Sequence, residues 1–386
     1  MPRQRRPSFA ATAAALALLA ASACGTADGG SGPGAAEGWR RLAAAPLSPR
    51  VGHSAVWGGN QLLVWGGRVP GGGAKADGAA YDPAGDRWGR LPPAPVAGRF
   101  GHAAVWTGTE LLVWGGMRPA RAGRSEVALA DGAAYQPATR RWRRIAPAPF
   151  AGDTALWTGG ELLAFGRVGA GPAARLGVAA YQPPTGPWRR LATSPLPAGD
   201  EVSVVLAGRQ VAAFTYRDSE RACHGGLYDL AAGTWRVLGA CPLLPIMYPQ
   251  PVWTGSRIVL LTWGPEWFDG GEVDPWPERV YTNGVYDPAT DTWRRPAARP
   301  ARLQPGYGGR FVWTGREVLL WGLGGGIAYD PAADGWRRMA EAPFTREFHS
   351  ATWTGTELLV WGGSTGQDCA DGCPRADGLA YRPGPR

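Results

Sequence analysis

"HAAVWTGTELLVWGG", residues 102–116, returns almost unchanged at 349–363 as "HSATWTGTELLVWGG" and at 53–67 as "HSAVWGGNQLLVWGG". Each copy holds two short runs of β-branched, aromatic and aliphatic residues. A glycine-containing turn separates them, which is the pattern of a tight β-hairpin. Looser copies are "DTALWTGGELLAFGR" (153–167), "EVSVVLAGRQVAAFTY" (201–216), "PVWTGSRIVLLTW" (251–263) and "RFVWTGREVLLWG" (310–322), so the unit occurs seven times. A glycine pair ends the second strand. After a variable stretch, "GAAYDP" (78–83) reads as a third strand running into a proline turn. "WRRL" (188–191) is the type of the fourth.

The repeat decides how the composition is read. With 59 Gly and 36 Pro, an aperiodic chain would be expected to be disordered. Here the glycines and prolines recur at turn positions, and 20 Trp supply core volume. Repeated units of four antiparallel strands predict propeller blades.

In six places a Tyr is followed seven residues later by Trp: Tyr81, Tyr135, Tyr181, Tyr228, Tyr286 and Tyr329. The last copy, "ADGLAYRPGPR" (376–386), stops at Tyr381 without its Trp. "GWRRL" at 38–42 has the Trp and the arginine pair but no Tyr before it. It is expected to complete blade seven and close the ring without a covalent bond.

The glycine pair, the Tyr and the Trp at these spacings closely resemble the kelch repeat, over about residues 38–383. The resemblance implies an all-β, seven-bladed kelch-type propeller with four antiparallel strands per blade. The first strand then lines the channel and the fourth lies outermost. Blade four departs from the pattern, with Leu206 for the first-strand Trp and Thr215-Tyr216 for the glycine pair. Blade five has Thr262-Trp263 where the glycines belong.

Net charge is +9, and all but one of the 40 basic residues are Arg; the exception is Lys75. Arg40, Arg41, Arg90, Arg143, Arg144, Arg189, Arg190, Arg236, Arg294, Arg295, Arg337 and Arg338 follow the repeated Trp. Charge spread evenly over repeats argues against nucleic-acid binding. It predicts charged outer edges that oppose edge-to-edge aggregation.

The first residues read as an export signal: a basic "MPRQRRPSF", an apolar "AATAAALALLAASA" too short to span a bilayer, then Cys24. Small residues before a Cys resemble a bacterial lipoprotein signal, although Ala21 stands where Leu is usual. The expected organisation is a signal peptide over 1–23, a lipidated Cys24 with a flexible linker to residue 37, and the propeller from 38 to 386. The protein would be held at the outer side of the cell membrane by its lipid alone; the alternative is secretion. A monomer is expected. Cys223, Cys241, Cys369 and Cys373 remain as an even set, suited to an oxidising compartment. Cys223 with Cys241 joins two ends of a hairpin, and Cys369 with Cys373 would pin a loop. The alternative, a metal site including His224, has little support from Cys-x₃-Cys spacing. No metal and no cofactor are expected.

Alternating strand direction sorts the connections. Turns between first and second and between third and fourth strands fall on one face, and are short. Those after the second and fourth strands fall on the other, over 66–77, 117–131, 167–177, 216–225, 264–283 and 364–377. Variable loops on a constant frame are where binding usually resides.

Two candidate sites lie there. His53, His102 and His349 share one repeat position, each preceded three residues earlier by Arg50, Arg99 or Arg346. Asp77, Asp131 and Asp377 occur in the same three blades. The set is either a basic crescent for an anionic group or a polar latch within each blade. The second candidate is the long loop of blade five, where Trp267 and Trp276 accompany Asp269 and Glu272. Exposed Trp with carboxylates suits a sugar ring; the alternative is a loop packed on its own aromatics.

Galactose oxidase and sialate mutarotases are enzymes on kelch-like propellers. The copper ligands of the first cannot be placed on these residues, and likeness to the second is at fold level. The expected role is therefore binding, to a glycan or to an envelope protein. The rivals are a carbohydrate-active enzyme on the same face and an assembly scaffold with no small ligand.

Overall fold

The structure, a computed structural model, describes residues 36–119, 125–217, 222–239, 241, 250–261, 283–300, 303, 309–366 and 373–384. Their regular structure is all strand apart from short 3₁₀ turns. Seven four-stranded antiparallel sheets form the blades. Blade 1 is Ser54–Trp57, Leu62–Trp65, Gly78–Asp82 and Arg87–Arg90. The first strands of successive blades touch one another all the way round, including that of blade 7 against those of blades 6 and 1. They enclose a central channel, and the fourth strands lie outermost.

Period-two alternation explains why the second strands are apolar throughout. Leu63 and Trp65 enter the core between blades 1 and 2, while Leu62 and Val64 enter the core between blades 7 and 1. Every second strand is thus buried on both faces, as a central strand between two layers must be. There are seven such cores, one for each interface between neighbouring blades.

The ring closes as the sequence predicts. Gly38–Arg41 pairs with Gly378–Arg382 in the order Gly38↔Arg382, Trp39↔Tyr381, Arg40↔Ala380 and Arg41↔Leu379. Glu37 extends this clasp. It accepts hydrogen bonds from Tyr381 Oη, from the Ala340 amide at 2.9 Å and from Arg337 Nη1 at 3.1 Å. In blades 1 and 6 the same position is filled from within the blade, by Asp86 and Asp334, five residues after the Tyr. Asp86 and Asp334 also accept from the amides of Ala43 and Ala297. Glu37 therefore takes in blade 7 the place that a turn aspartate holds in blades 1 and 6.

The arginines after the repeated Trp divide into two roles. Arg41, Arg144, Arg190 and Arg338 are exposed, as expected of charges along an outer edge. Their predecessors latch neighbouring structure instead. Arg143 pairs with Glu110 of its own blade at 2.6 Å and donates to Tyr181 Oη of the next at 3.0 Å. Arg40 does the same with Glu357 and Tyr81, and Arg337 with Glu317 and Tyr381. The edge account thus covers one Arg of each pair, because the other is within reach of a carboxylate.

Two stretches expected as loops are instead hairpin extensions. In blade 3, Leu162–Val168 pairs with Arg175–Tyr181, and in blade 4, Gln210–Arg217 pairs with Ala222–Asp229. The cause is the glycine pair. Gly66-Gly67, Gly115-Gly116 and Gly362-Gly363 all have positive φ and stop the strand. Gly166-Arg167 and Thr215-Tyr216 have no positive φ, so the ladder continues past the blade.

Cys223 and Cys241 form a disulfide across the end of the blade 4 hairpin, with Cα atoms 5.6 Å apart. Cys373 is also disulfide-bonded. Cys369, its expected partner, lies outside the described residues, as does Cys24.

Candidate functional site

The connections after the second and fourth strands surround one mouth of the channel. A cavity of about 380 Å³ opens there, lined by first-strand and entry residues of blades 6, 7, 1 and 2. His53, His102 and His349 reach its wall, together with Arg310, Phe348 and Ser350.

The arginines that precede these histidines point elsewhere. Arg50 and Arg99 are fully buried and Arg346 is 4% exposed. Each guanidinium meets the aspartate of its own blade: Arg50–Asp77 at 2.8 Å, Arg99–Asp131 at 2.9 Å and Arg346–Asp377 at 2.7 Å. Each also donates to a carbonyl of the glycine pair, at Gly66, Gly115 or Gly362. The charges are therefore compensated inside the blade. Asp77 is held below the usual carboxylate range by its hydrogen bond and attraction to Arg50, against the opposing effect of burial.

The histidines make a relay between blades. His102 Nε2 lies 2.8 Å from Ser54 Oγ of blade 1, and His53 Nε2 lies 3.0 Å from Ser350 Oγ of blade 7. Each ring stands edge-on to the second-strand Trp of the preceding blade, His102 on Trp65, His53 on Trp361 and His349 on Trp321. Burial, reinforced by nearby arginines, lowers the pKa of all three to about 3. They are neutral imidazoles at pH 7.

The relay ends at blade 6. Ser54 and Ser350 face Trp65 and Trp361 across their hairpins, and Arg310 faces Trp321 in the same register. His349 thus meets an arginine where its counterparts meet a serine, and its Nε2 has no hydrogen-bond partner. Arg310 is open to water in the channel and lines the cavity. Surrounding protein lowers its pKa through desolvation, and Glu201 of blade 4 opposes this from across the channel. Among the described residues Arg310 takes no hydrogen bond and no ion pair.

Sequence reasoning grouped the histidines correctly by repeat position and missed Arg310 and Phe348. The signal was present in the aligned repeats, where Arg310 replaces a small residue and Phe348 replaces Gly52 and Gly101. Trp267, Trp276, Asp269 and Glu272 lie outside the described residues. Among the described residues no group of three His, Cys, Asp or Glu gathers to hold a metal ion. Comparison of the sequence with models of known protein families and with curated proteins finds no match.

Proposed function

We propose that this chain is an exported, lipid-anchored propeller of the kelch type that binds a glycan or an envelope protein through its long-loop face. The observation that carries this reading is the contrast between the two faces. The frame of seven sheets is constant. On the face with the channel mouth, the connections differ from blade to blade. They range from the two-residue turn of Leu323 and Gly324 to the extended hairpins of blades 3 and 4. A rigid frame with variable connections is the usual arrangement of a binding surface. The Cys223–Cys241 disulfide suits an oxidising compartment, and the signal-like segment ending at Cys24 suits export.

Binding is favoured over catalysis by the cavity lining. Among the described residues it presents neutral imidazoles, hydroxyls and one guanidinium, with no carboxylate to act as a general acid or base.

The fourth strand of blade 7 begins at Gly38, at the end of the blade where third strands turn into fourth strands. A glycan array with the full chain in detergent tests the reading. Wild type should retain a defined set of glycans, and Trp267→Ala with Trp276→Ala should weaken it. Cys24→Ala should move the protein from the membrane fraction to the medium. An empty array, together with no envelope protein recovered by crosslinking from intact cells, would refute the binding role.

A further inference from the structure

Departures from the repeat converge on one side of the channel mouth. Blades 1 and 2 carry Gly52 and Gly101 at φ +64° and +60°, and the same position in blade 7 is Phe348 at φ +53°. Left-handed backbone is uncommon for a bulky residue, and it persists where the surrounding structure enforces it, often at functional sites. The Phe348 side chain is 43% exposed and lines the cavity. In blade 6, Arg310 replaces the relay serine, which leaves His349 Nε2 buried without a partner. Among the described residues, an exposed aromatic, a guanidinium with no ion pair and a histidine whose buried Nε2 has no partner thus meet at one cavity of about 380 Å³.

We propose that this cavity binds a sugar bearing a carboxylate, with Arg310 as the recognition group for the acid. This deepens the reading of the long-loop face as a binding face and rests on it. The planar guanidinium offers two parallel N–H donors that match a carboxylate. Phe348 covers the apolar face of the pyranose, the way aromatic rings meet sugars, and Ser350 faces the hydroxyls. The volume lies at the lower end of the range for small-molecule pockets, which suits one sugar ring.

The charge of the site selects a single negative charge. Among the described residues Arg310 is the only cation in the lining, because the three histidines are neutral at pH 7. Glu201, which acts on Arg310 from across the channel, disfavours a second negative charge. A carboxylate therefore fits better than a phosphate dianion.

The repeat supplies variants that should fold. R310S restores the serine found in blades 7 and 1 and gives His349 a partner. F348G restores the glycine found in blades 1 and 2 and removes the left-handed Phe. Both should melt no lower than wild type. Isothermal titration of the full chain in detergent, with glucuronate, glucose and inorganic phosphate as probes, reads the site. Glucuronate should bind more tightly than glucose or phosphate by about tenfold or more. R310S should lose that preference, and F348G should weaken glucuronate and glucose together.

Glucuronate binding that is equal in wild type and R310S would overturn the site. So would glucose or phosphate binding as tightly as glucuronate, or no glucuronate binding to wild type. A glycan array that retains neutral glycans on wild type and R310S alike would show that the face still binds, separating failure of this site from failure of the broader reading.

Discussion

Arg50, Arg99 and Arg346 show how a residue type can mislead until its partners are known. Three arginines at one repeat position beside three histidines look like a concentration of positive charge. In the fold each guanidinium meets an aspartate of its own blade and a carbonyl of the glycine pair. The histidines sit against tryptophan edges, and burial keeps them neutral. That neutrality has a thermodynamic consequence. In the unfolded chain each histidine takes up a proton near pH 6.5, whereas in the fold it does so only near pH 3. The unfolded state therefore binds more protons between these values. The stability that the neutral rings contribute is complete above pH 6.5 and is lost as pH falls toward 3. The slope is about 1.4 kcal/mol per pH unit for each fully buried ring, His102 and His349 foremost. Urea unfolding should show a marked loss of stability between pH 7 and 4.5. His102→Gln should flatten the curve over that interval, and a variant curve parallel to wild type would contradict the assignment.

At the scale of the element, the glycine pair does most to shape the binding face. Where both glycines adopt positive φ the second strand stops at the blade, and where they are replaced it runs on into a hairpin. The pair also makes room. A Cβ on Gly115 would lie 2.0 Å from the Gly152 carbonyl oxygen, whereas one on Gly108 in a hairpin turn would meet nothing within 4 Å. Both have positive φ, so the difference isolates the steric contribution. Gly108→Ala should destabilise by about 1 kcal/mol, from backbone strain alone. Gly115→Ala should exceed it by at least about 2 kcal/mol, because backbone must move. Guanidinium unfolding of the two variants checks this, and equal losses would mean that the blade relaxes around the added methyl group.

At the scale of the whole molecule, the clasp joins the two ends of the described chain into one ring. Trp39 stacks on Tyr381 and Trp321, its Nε1 donates to the Ala340 carbonyl, and Leu42 enters the core between blades 7 and 1. Removing residues 38–42 deletes both side chains and exposes the edge of Gly378–Arg382. The loss should be on the order of 5 kcal/mol. Thermal unfolding should shift down by about 10 °C, and an unchanged melting temperature would mean that closure does not depend on this strand. Glu37 belongs to the same device, as the carboxylate that reaches blade 7 from the segment just before Gly38.

The number of blades, their strand order and the pairing of 38–42 with the last Tyr strand were all legible in the sequence. They depend on features that recur: a period, a glycine pair, a Tyr and a Trp at fixed spacing. Repetition lets each copy correct the reading of the others. The long-loop face followed from strand direction alone. What recurs, however, says little about a single site. Arg310 and Phe348 matter because they break the pattern in neighbouring blades at positions 38 residues apart in sequence. Only closure of the ring brings them to one cavity with His349. The tertiary structure likewise decided which arginines are spent on aspartates and which one faces the channel open. Charge compensation depends on distance in space, and spacing along the chain does not report it.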